Sequence, residues 1–391
     1  MSEQGYRICT RCIMDTSDKY IKFDKNGVCN HCYEYDKVVT PNVLNTEEKK
    51  EKLAGLILEI KNAGKGQKYD CIAGLSGGMD SSYVIYLAKK LNLRTLIVHF
   101  DNGWDSELAI KNIDNIIQKT GFDYFNYVVD WEEFRELQLS YFKASVVDVE
   151  IPTDMGIFSL IPNLAIKYNV KYILYGTNLE TEFTMGKDWN YTKMDRGNLV
   201  AIHSKYSQKK LKTFPYYSPL NQLIFKVKEI KSINVLLYEE TNYNIIKKII
   251  STEFGWREYP VKHGESIFTK FYQSYYLLRK FGFDKRRAHL SDQINSGHIT
   301  RERALEIIQI PVYKNREEEK KEYTYVVKKM GLTTKEFETI MTSPLKSHYD
   351  YPVDQLYGNM FDRYVLKFSK VKLFRSGLIH IYRILSKLKM F

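Results

Sequence analysis

Residues 76–82 read SGGMDSS, between the apolar stretch CIAGL at 71–75 and the helix-like stretch YVIYLAKKL at 83–91. Gly77 and Gly78 permit tight turning and close backbone approach. The helix that follows offers unpaired N–H groups and a positive dipole end, and Ser76, Ser81 and Ser82 add hydroxyl donors. The stretch therefore predicts a phosphate cradle. It does not fit G-x-x-x-x-G-K-[ST], so the lysine that would sit on terminal phosphates is missing. A carboxylate beside bound phosphates is repelled unless a divalent cation lies between them, which makes Asp80 the candidate magnesium ligand.

Outward from this stretch the pattern alternates. Strands are expected over 69–75, 94–100, 124–129 and 171–175, and helices over 82–91, 106–120 and 161–168. That order predicts an α/β domain with a doubly wound parallel sheet, whose ligands sit at the strand C-terminal ends. Polar residues gather at those ends: SGGMDSS after the first strand, HFDNGWDSE (99–107) after the second and YGTNLETE (175–182) after the fourth.

Upstream, Cys9, Cys12, Cys29 and Cys32 form C-x2-C, sixteen residues, then C-x2-C. The spacing suits a four-cysteine zinc ribbon, in which two knuckles present thiolates to one structural ion. His31 could replace one ligand, though four cysteines make it unnecessary. A ribbon this small has too little core to fold without metal. The expected divisions are a ribbon over 1–40, a nucleotide domain over 41–260 and a helical C-terminal region over 261–391 that packs on the sheet and completes the substrate cleft.

The formal charge of +12 points to an anionic partner without choosing one. From Arg363 onward the chain carries eight Lys/Arg and no acid, interleaved with apolar residues. This suits either a packed amphipathic helix pair with a solvated basic face or docking on an anionic membrane or a partner. Neither a signal-peptide pattern nor a run of about 18 uncharged apolar residues occurs, so the expected compartment is the cytoplasm.

SGGMDSS resembles the PP-loop of the ATP pyrophosphatase superfamily, pattern SGGxDS, which implies ATP cleavage between the α- and β-phosphates. The ribbon, GLSGGMDSSY, FDNGWDSELA, YGTNLETE and FGFDKRRAHLSDQINSGHITRERALE, in that order from Cys9 to about Leu305, resemble more narrowly the bacterial N-acetyl sugar amidotransferases of surface-polysaccharide biosynthesis. That resemblance implies an acceptor bearing two acetamido groups, either a UDP-linked uronic acid or a nonulosonic acid, on the way to LPS O-antigen, capsule or flagellin glycan. The amide oxygen would attack the α-phosphate of ATP. Ammonia would then displace AMP and leave an acetamidino group.

By the same resemblance Ser76, Gly77, Gly78, Ser81 and Ser82 hold pyrophosphate and Asp80 its magnesium. Gly74, Leu75, Phe100, Asp101 and Asn102 lie where the family places adenosine, and Gly176, Thr177 and Asn178 where they could meet the α-phosphate or ribose. Asp80, Ser76 and Glu180 are the expected catalytic residues. Glu180 and Glu182 are candidates for a second metal or for the ammonia proton, with exposed loop acids as the plain alternative. Asp154 reads as a helix cap or a substrate contact, with the cap favoured. Among the cations Lys187, Arg196, Lys285, Arg286 and Arg287, the sugar's anionic groups are assigned to Arg286, Arg287 and Lys187, against the plainer reading of a solvated helix start. His289 and His298 stay ambiguous.

The only cysteine outside the ribbon is Cys71, within a strand, so the chain has no glutaminase nucleophile of its own. The family implies a separate glutaminase and a barrel-shaped ammonia-channel subunit. Nucleic acid is not expected as a partner. The rival reading is a PP-loop tRNA-modifying enzyme of lysidine-synthetase or thiolase type, which the ribbon and the charge would suit.

Overall fold

The computed structural model describes residues 5–43, 46–177, 180–216, 219–239 and 242–354. Asn178 and the basic stretch from Arg363 lie outside them. The alternating apolar runs form one parallel sheet of five strands: β1 (Cys71–Gly74), β2 (Thr95–Asp101), β3 (Asp123–Val128), β4 (Tyr172–Tyr175) and β5 (Lys231–Asn234). Their order is β3-β2-β1-β4-β5. Register is set by Cys71 opposite Thr95, Leu96 opposite Asp123, Ile72 opposite Ile173 and Tyr172 opposite Lys231.

Successive strand residues point to opposite faces, and the two faces carry separate cores. Cys71, Ala73, Ile97 and Leu174 join one core with α2 (Thr46–Ala63), α3 (Met79–Lys90), α4 (Glu107–Thr120) and α9 (Tyr243–Phe254). Ile72, Leu96, Val98 and Ile173 join the other with α5 (Trp131–Ala144), α6 (Ile151–Tyr168), α7 (Arg196–Tyr206) and α8 (Pro219–Val227). This is the expected doubly wound α/β sheet. Strand order reverses between β1 and β4, the crevice where such sheets bind ligands.

The differences from expectation have local causes. Helix α3 starts at Met79, so Asp80, Ser81 and Ser82 form its first turn. Helix α6 starts ten residues before the expected 161; Pro152 sits in its first turn, where a missing N–H costs nothing, and Pro162 is accommodated inside. Strand β5, reading KSIN, is a short edge strand with two exposed residues and gives no apolar run to detect.

The C-terminal helices are α10 (Ile267–Phe271), which runs into a π-helical segment Tyr272–Phe281, then α11 (Arg286–Asn295), α12 (Arg301–Gln309), α13 (Arg316–Lys329) and α14 (Thr334–Thr342). Phe268, Phe271, Tyr276, Val326 and Phe337 merge into the second core. The N-terminal module is a knuckle at Cys9–Cys12 followed by α1 (Asn30–Val38), with Cys29 at its N-cap and Cys32 in its first turn. The second cysteine pair thus sits on a helix start, not on a second hairpin knuckle. No helix among the described residues is long and apolar enough to cross a membrane.

Candidate active site

A cleft of about 760 Å³ opens over the C-terminal ends of β1, β2 and β4. Its floor is the SGGMDSS loop. Gly77 has φ +80, a left-handed conformation, and a Cβ there would lie 3.0 Å from the Ala109 carbonyl. The indole N–H of Trp256 and the hydroxyl of Tyr259 both donate to the Gly77 carbonyl at 2.9 Å. Within the loop, Ser81 Oγ accepts from the Ser76 N–H at 3.2 Å, and Ser82 Oγ donates to the Gly78 carbonyl at 2.6 Å. Gly176 at the end of β4 allows close approach, since a Cβ there would be 3.1 Å from the Asp80 carbonyl carbon.

Gly74, Leu75, Ser76, Gly78, Asp80, Ser81, Phe100, Asn102, Gly176 and Thr177 all line the cleft. Gly77 and Ser82 shape the loop from behind. Asp101 turns aside and accepts from the Gly103 N–H at 2.9 Å. One wall is apolar, made by Phe100, Ile157, Ile161 and Leu174, with α6 packed so tightly that a Cβ on Gly156 would collide with the Phe100 ring. Beneath the loop His99, unremarked in the sequence, reaches the Leu75 carbonyl at 2.7 Å and Asp105 at 2.9 Å. Burial works against its charge, but the bond to Asp105 outweighs that and raises its pKa.

Asp80 Oδ1 is buried without a hydrogen-bond partner. Burial, reinforced by Glu182, pushes its carboxyl up to about 7. A buried carboxylate oxygen left open beside an anion cradle suits a hard cation. Opposite stands a cluster that sequence reasoning missed: Lys262 donates to Glu182 at 3.1 Å, and His263 Nδ1 lies 3.6 Å from Glu265, whose carboxylate oxygen would be 3.2 Å from a Cβ on Gly78. Burial disfavours charge on both Lys262 and Glu265, yet Glu182 keeps Lys262 raised and His263 keeps Glu265 lowered. The signal was available in VKHGES (261–266), a dense polar run inside an irregular stretch. It lies about 180 residues from the loop it faces, and nothing local announces the meeting.

Several expected assignments change. Glu180 does not line the cleft; it faces Lys49 at 3.9 Å while its carbonyl accepts from the Tyr35 hydroxyl at 2.9 Å, and Glu182 takes the cleft position. Arg286, Arg287 and Lys187 are also absent from the lining. Arg286 is spent on Asp284 and on the Ile308 and Ile310 carbonyls, Arg287 pairs with Asp15 at 2.9 Å, and Lys187 lies over the Tyr20 ring at 4.8 Å. Arg196 stacks on Tyr216. The cations that do line the cleft beyond Lys262 include Lys193 and Lys285. Asp154 is no cap: Glu150 holds the N-cap of α6, and Asp154 pairs with Lys193 at 2.9 Å inside the cleft. Glu150 itself is raised by burial. The C-terminal region contributes Gln273, Lys285, His289 and Gln293 to the cleft lining.

The four cysteine sulfurs are buried and lie within 4.8 Å of one another, with Cys12–Cys29, Cys29–Cys32 and Cys9–Cys32 separations of 3.5, 3.7 and 3.8 Å. Four sulfurs at about 2.3 Å from one tetrahedral ion stand about 3.8 Å apart, so the set fits a single metal ion. Backbone N–H groups of Arg11, Cys12 and Cys29 point at Cys9 Sγ at 3.4, 3.4 and 3.2 Å, which favours thiolate. His31 is not a ligand; its Nε2 meets Asp18 at 2.7 Å. Cys71 is buried, and that burial pushes its thiol up to about 12, which suits no nucleophile.

Residues 265–366 match the family model described as "LPS biosynthesis protein WbpG-like, C-terminal domain". No curated protein sequence matches the chain significantly. Among solved structures, the NH3-dependent NAD synthetase of Campylobacter jejuni is 14% identical over 56% of this chain and 100% of that one, with a TM-score of 0.30. The NMN synthetase of Francisella tularensis is 14% identical over 57% and 90%, with a TM-score of 0.29. The U34-tRNA thiolase NcsA of Methanococcus maripaludis, with its [4Fe-4S] cluster, is 15% identical over 78% and 89%, with a TM-score of 0.30. The fold assignment rests on the chain's own strand order and loop geometry, not on these superpositions. The chain is a doubly wound α/β protein with a glycine- and serine-rich cradle after its first strand, and its residues 265–366 are similar to the C-terminal domain of WbpG-like lipopolysaccharide-biosynthesis proteins.

Proposed function

We propose that the chain is an ATP-dependent amidotransferase, acting in the cytoplasm, that converts one acetamido group of a diacetamido sugar to an acetamidino group and releases AMP and pyrophosphate. The observation that carries this reading is Asp80, a buried carboxylate with an unpartnered oxygen in the first turn of the helix that closes a lysine-free phosphate cradle. The reaction class follows from what such a site is good for. An amide oxygen is a very poor leaving group, and ammonia does not displace it. Transfer of AMP to that oxygen makes it a good one, without any protein nucleophile. Positioning and charge stabilisation then carry the rate.

In this reading Ser76, Gly78 and Ser81 hold the pyrophosphate portion of ATP, and Lys262 supplies the cation that the loop sequence lacks. Asp80 would hold magnesium, whose contribution is to neutralise phosphate charge as pyrophosphate departs. The wall of Phe100, Ile157, Ile161 and Leu174 takes the adenine. The sugar lies toward Glu150, Lys193, Gln273 and Lys285, from α6 and the C-terminal domain. The four thiolates would hold one structural zinc. Ammonia comes from a separate glutaminase, with a channel subunit between them.

The test incubates candidate diacetamido sugars with ATP, magnesium and ammonium. Mass spectrometry looks for an amide oxygen replaced by an imino group, alongside AMP and pyrophosphate in equal amounts. ADP in place of AMP, or undiminished turnover in Asp80→Ala, would refute the reading.

A further inference from the structure

The block KRRAHLS (285–291) lies within the residues that match the family model, and most of its side chains are engaged away from the cleft. Arg286 and Arg287 are spent on Asp284 and Asp15, and Ser291 Oγ accepts from the Ile13 N–H at 3.2 Å. Lys285 and His289 face the cleft. His289 Nδ1 lies 3.5 Å from the Thr181 carbonyl, which accepts a hydrogen bond from it and leaves Nε2 as the acceptor nitrogen of the ring, while Lys262 Nζ stands 3.4 Å from Nδ1 as a neighbouring charge. Its other nitrogen, Nε2, is buried and has no partner. A buried ring nitrogen with nothing to bond, on a residue that lines the cleft, is an open position for a proton.

Resting on the amidotransferase reading above, we propose that His289 Nε2 accepts the proton that ammonia must lose when it becomes the amidine nitrogen. Attack of the amide oxygen on the α-phosphate forms the O–P bond, expels pyrophosphate and leaves an O-adenylyl imidate cation. Ammonia adds its lone pair to the imidate carbon to give a tetrahedral adduct bearing –NH3⁺. His289 Nε2 takes one proton from that group. The freed electron pair then forms the C=N bond as the C–O bond breaks, so AMP leaves with the former amide oxygen, and the product is the amidinium.

The groups around His289 suit this task. Lys262 and His263 face it from the preceding loop, Lys285 from its own helix, and Glu182 stands beyond Lys262. Burial, and after it Lys262, His263 and Lys285, lower its pKa well below the ordinary value, which keeps the ring neutral. The same lowering makes the imidazolium a strong acid, so it gives the proton up once AMP has gone. Nδ1 faces the Thr181 carbonyl, and Lys262 links the ring to the Asp80 side of the cleft through Glu182.

The experiment separates the two half-reactions in the full-length protein. Sugar-dependent exchange of labelled pyrophosphate into ATP reports adenylation, and amidine formation from ammonium reports the second step. In His289→Gln, exchange is expected to stay within about twofold of wild type, which also shows that the site is folded. Amidine formation is expected to fall about 10²–10⁴-fold, the usual contribution of a general base. The deficit should shrink as pH rises and hydroxide takes over the proton. Parallel loss of exchange would make His289 a phosphate or packing residue and overturn the proposal, and so would amidine formation at the wild-type rate. Absence of sugar-dependent exchange in the wild type itself would sink the reaction reading, and the histidine's role with it.

Discussion

Replacing Asp80 by asparagine should stabilise the protein at alkaline pH while removing its activity. The carboxyl is raised from 3.8 to about 7 because burial and Glu182 disfavour the charge. The folded protein therefore binds this proton more tightly than the unfolded chain. Stability falls as pH rises wherever the folded state binds more protons, so the charge costs nothing below about 3.8, and its cost grows through the window up to about 7 and then levels. At 1.36 kcal/mol for each pH unit between the two values, the full cost is about 4 kcal/mol. Asparagine keeps the shape and cannot ionise. At pH 8, without metal, Asp80→Asn should be more stable than wild type by up to about 4 kcal/mol, a Tm gain of about 2–4 °C per kcal/mol for a unit of 150–250 residues. By pH 4 the difference should close. Thermal melts of both proteins from pH 4 to 8.5 measure it, and titrating groups away from Asp80 cancel in the comparison. Magnesium with a non-hydrolysable ATP analogue should raise the wild-type Tm and leave the variant unchanged. A stability difference that does not vary with pH would refute the reasoning, because it would then owe nothing to the charge.

Trp256→Phe removes one of two donors to the Gly77 carbonyl and should cost about 1 kcal/mol with a several-fold rise in the KM for ATP; adding Tyr259→Phe leaves that carbonyl unbonded and should cost more than the two single changes together, as denaturant melts would show. Glu182→Gln should lower kcat more than tenfold, whereas Glu180→Gln should leave it within about twofold, since only the first faces the cleft. Arg287→Ala should destabilise the protein by about 3 kcal/mol through loss of the buried-side pairing with Asp15, with no change in sugar KM. Native mass spectrometry should find one metal ion per chain, and Cys32→Ser should lose it and expose residues 5–43 to proteolysis.

Four of the five strands were legible because they are runs rich in apolar residues closed by turn-forming polar loops, and the cradle because its chemistry is contiguous. What could not be read was set by separation along the chain. Lys262, His263 and Glu265 carry no periodic pattern, and their importance comes only from facing Asp80. The basic residues of KRRAHLS misled for the opposite reason. Arginine was expected to grip a substrate anion, but Asp15 and Asp284 already satisfy Arg287 and Arg286, and sequence does not show which acid a cation will meet. Helix α6 was underestimated: it begins at Ile151, with Pro152 in a first-turn position that tolerates it, ten residues before the expected start.

The cysteine module is tied to the rest of the chain by distant partners. Arg301 donates to the Cys9 and Cys12 carbonyls at 2.8 and 3.0 Å, Arg287 to the Ile13 carbonyl at 2.9 Å, and Ile13 packs against Leu290 and Ala304. Cys9 leaves the ribosome 292 residues before Arg301. During synthesis the module must stand on its own short-range contacts while the helices that hold it are still to come. The closing of Arg301 onto the knuckle is then a late event that joins residues made far apart in time.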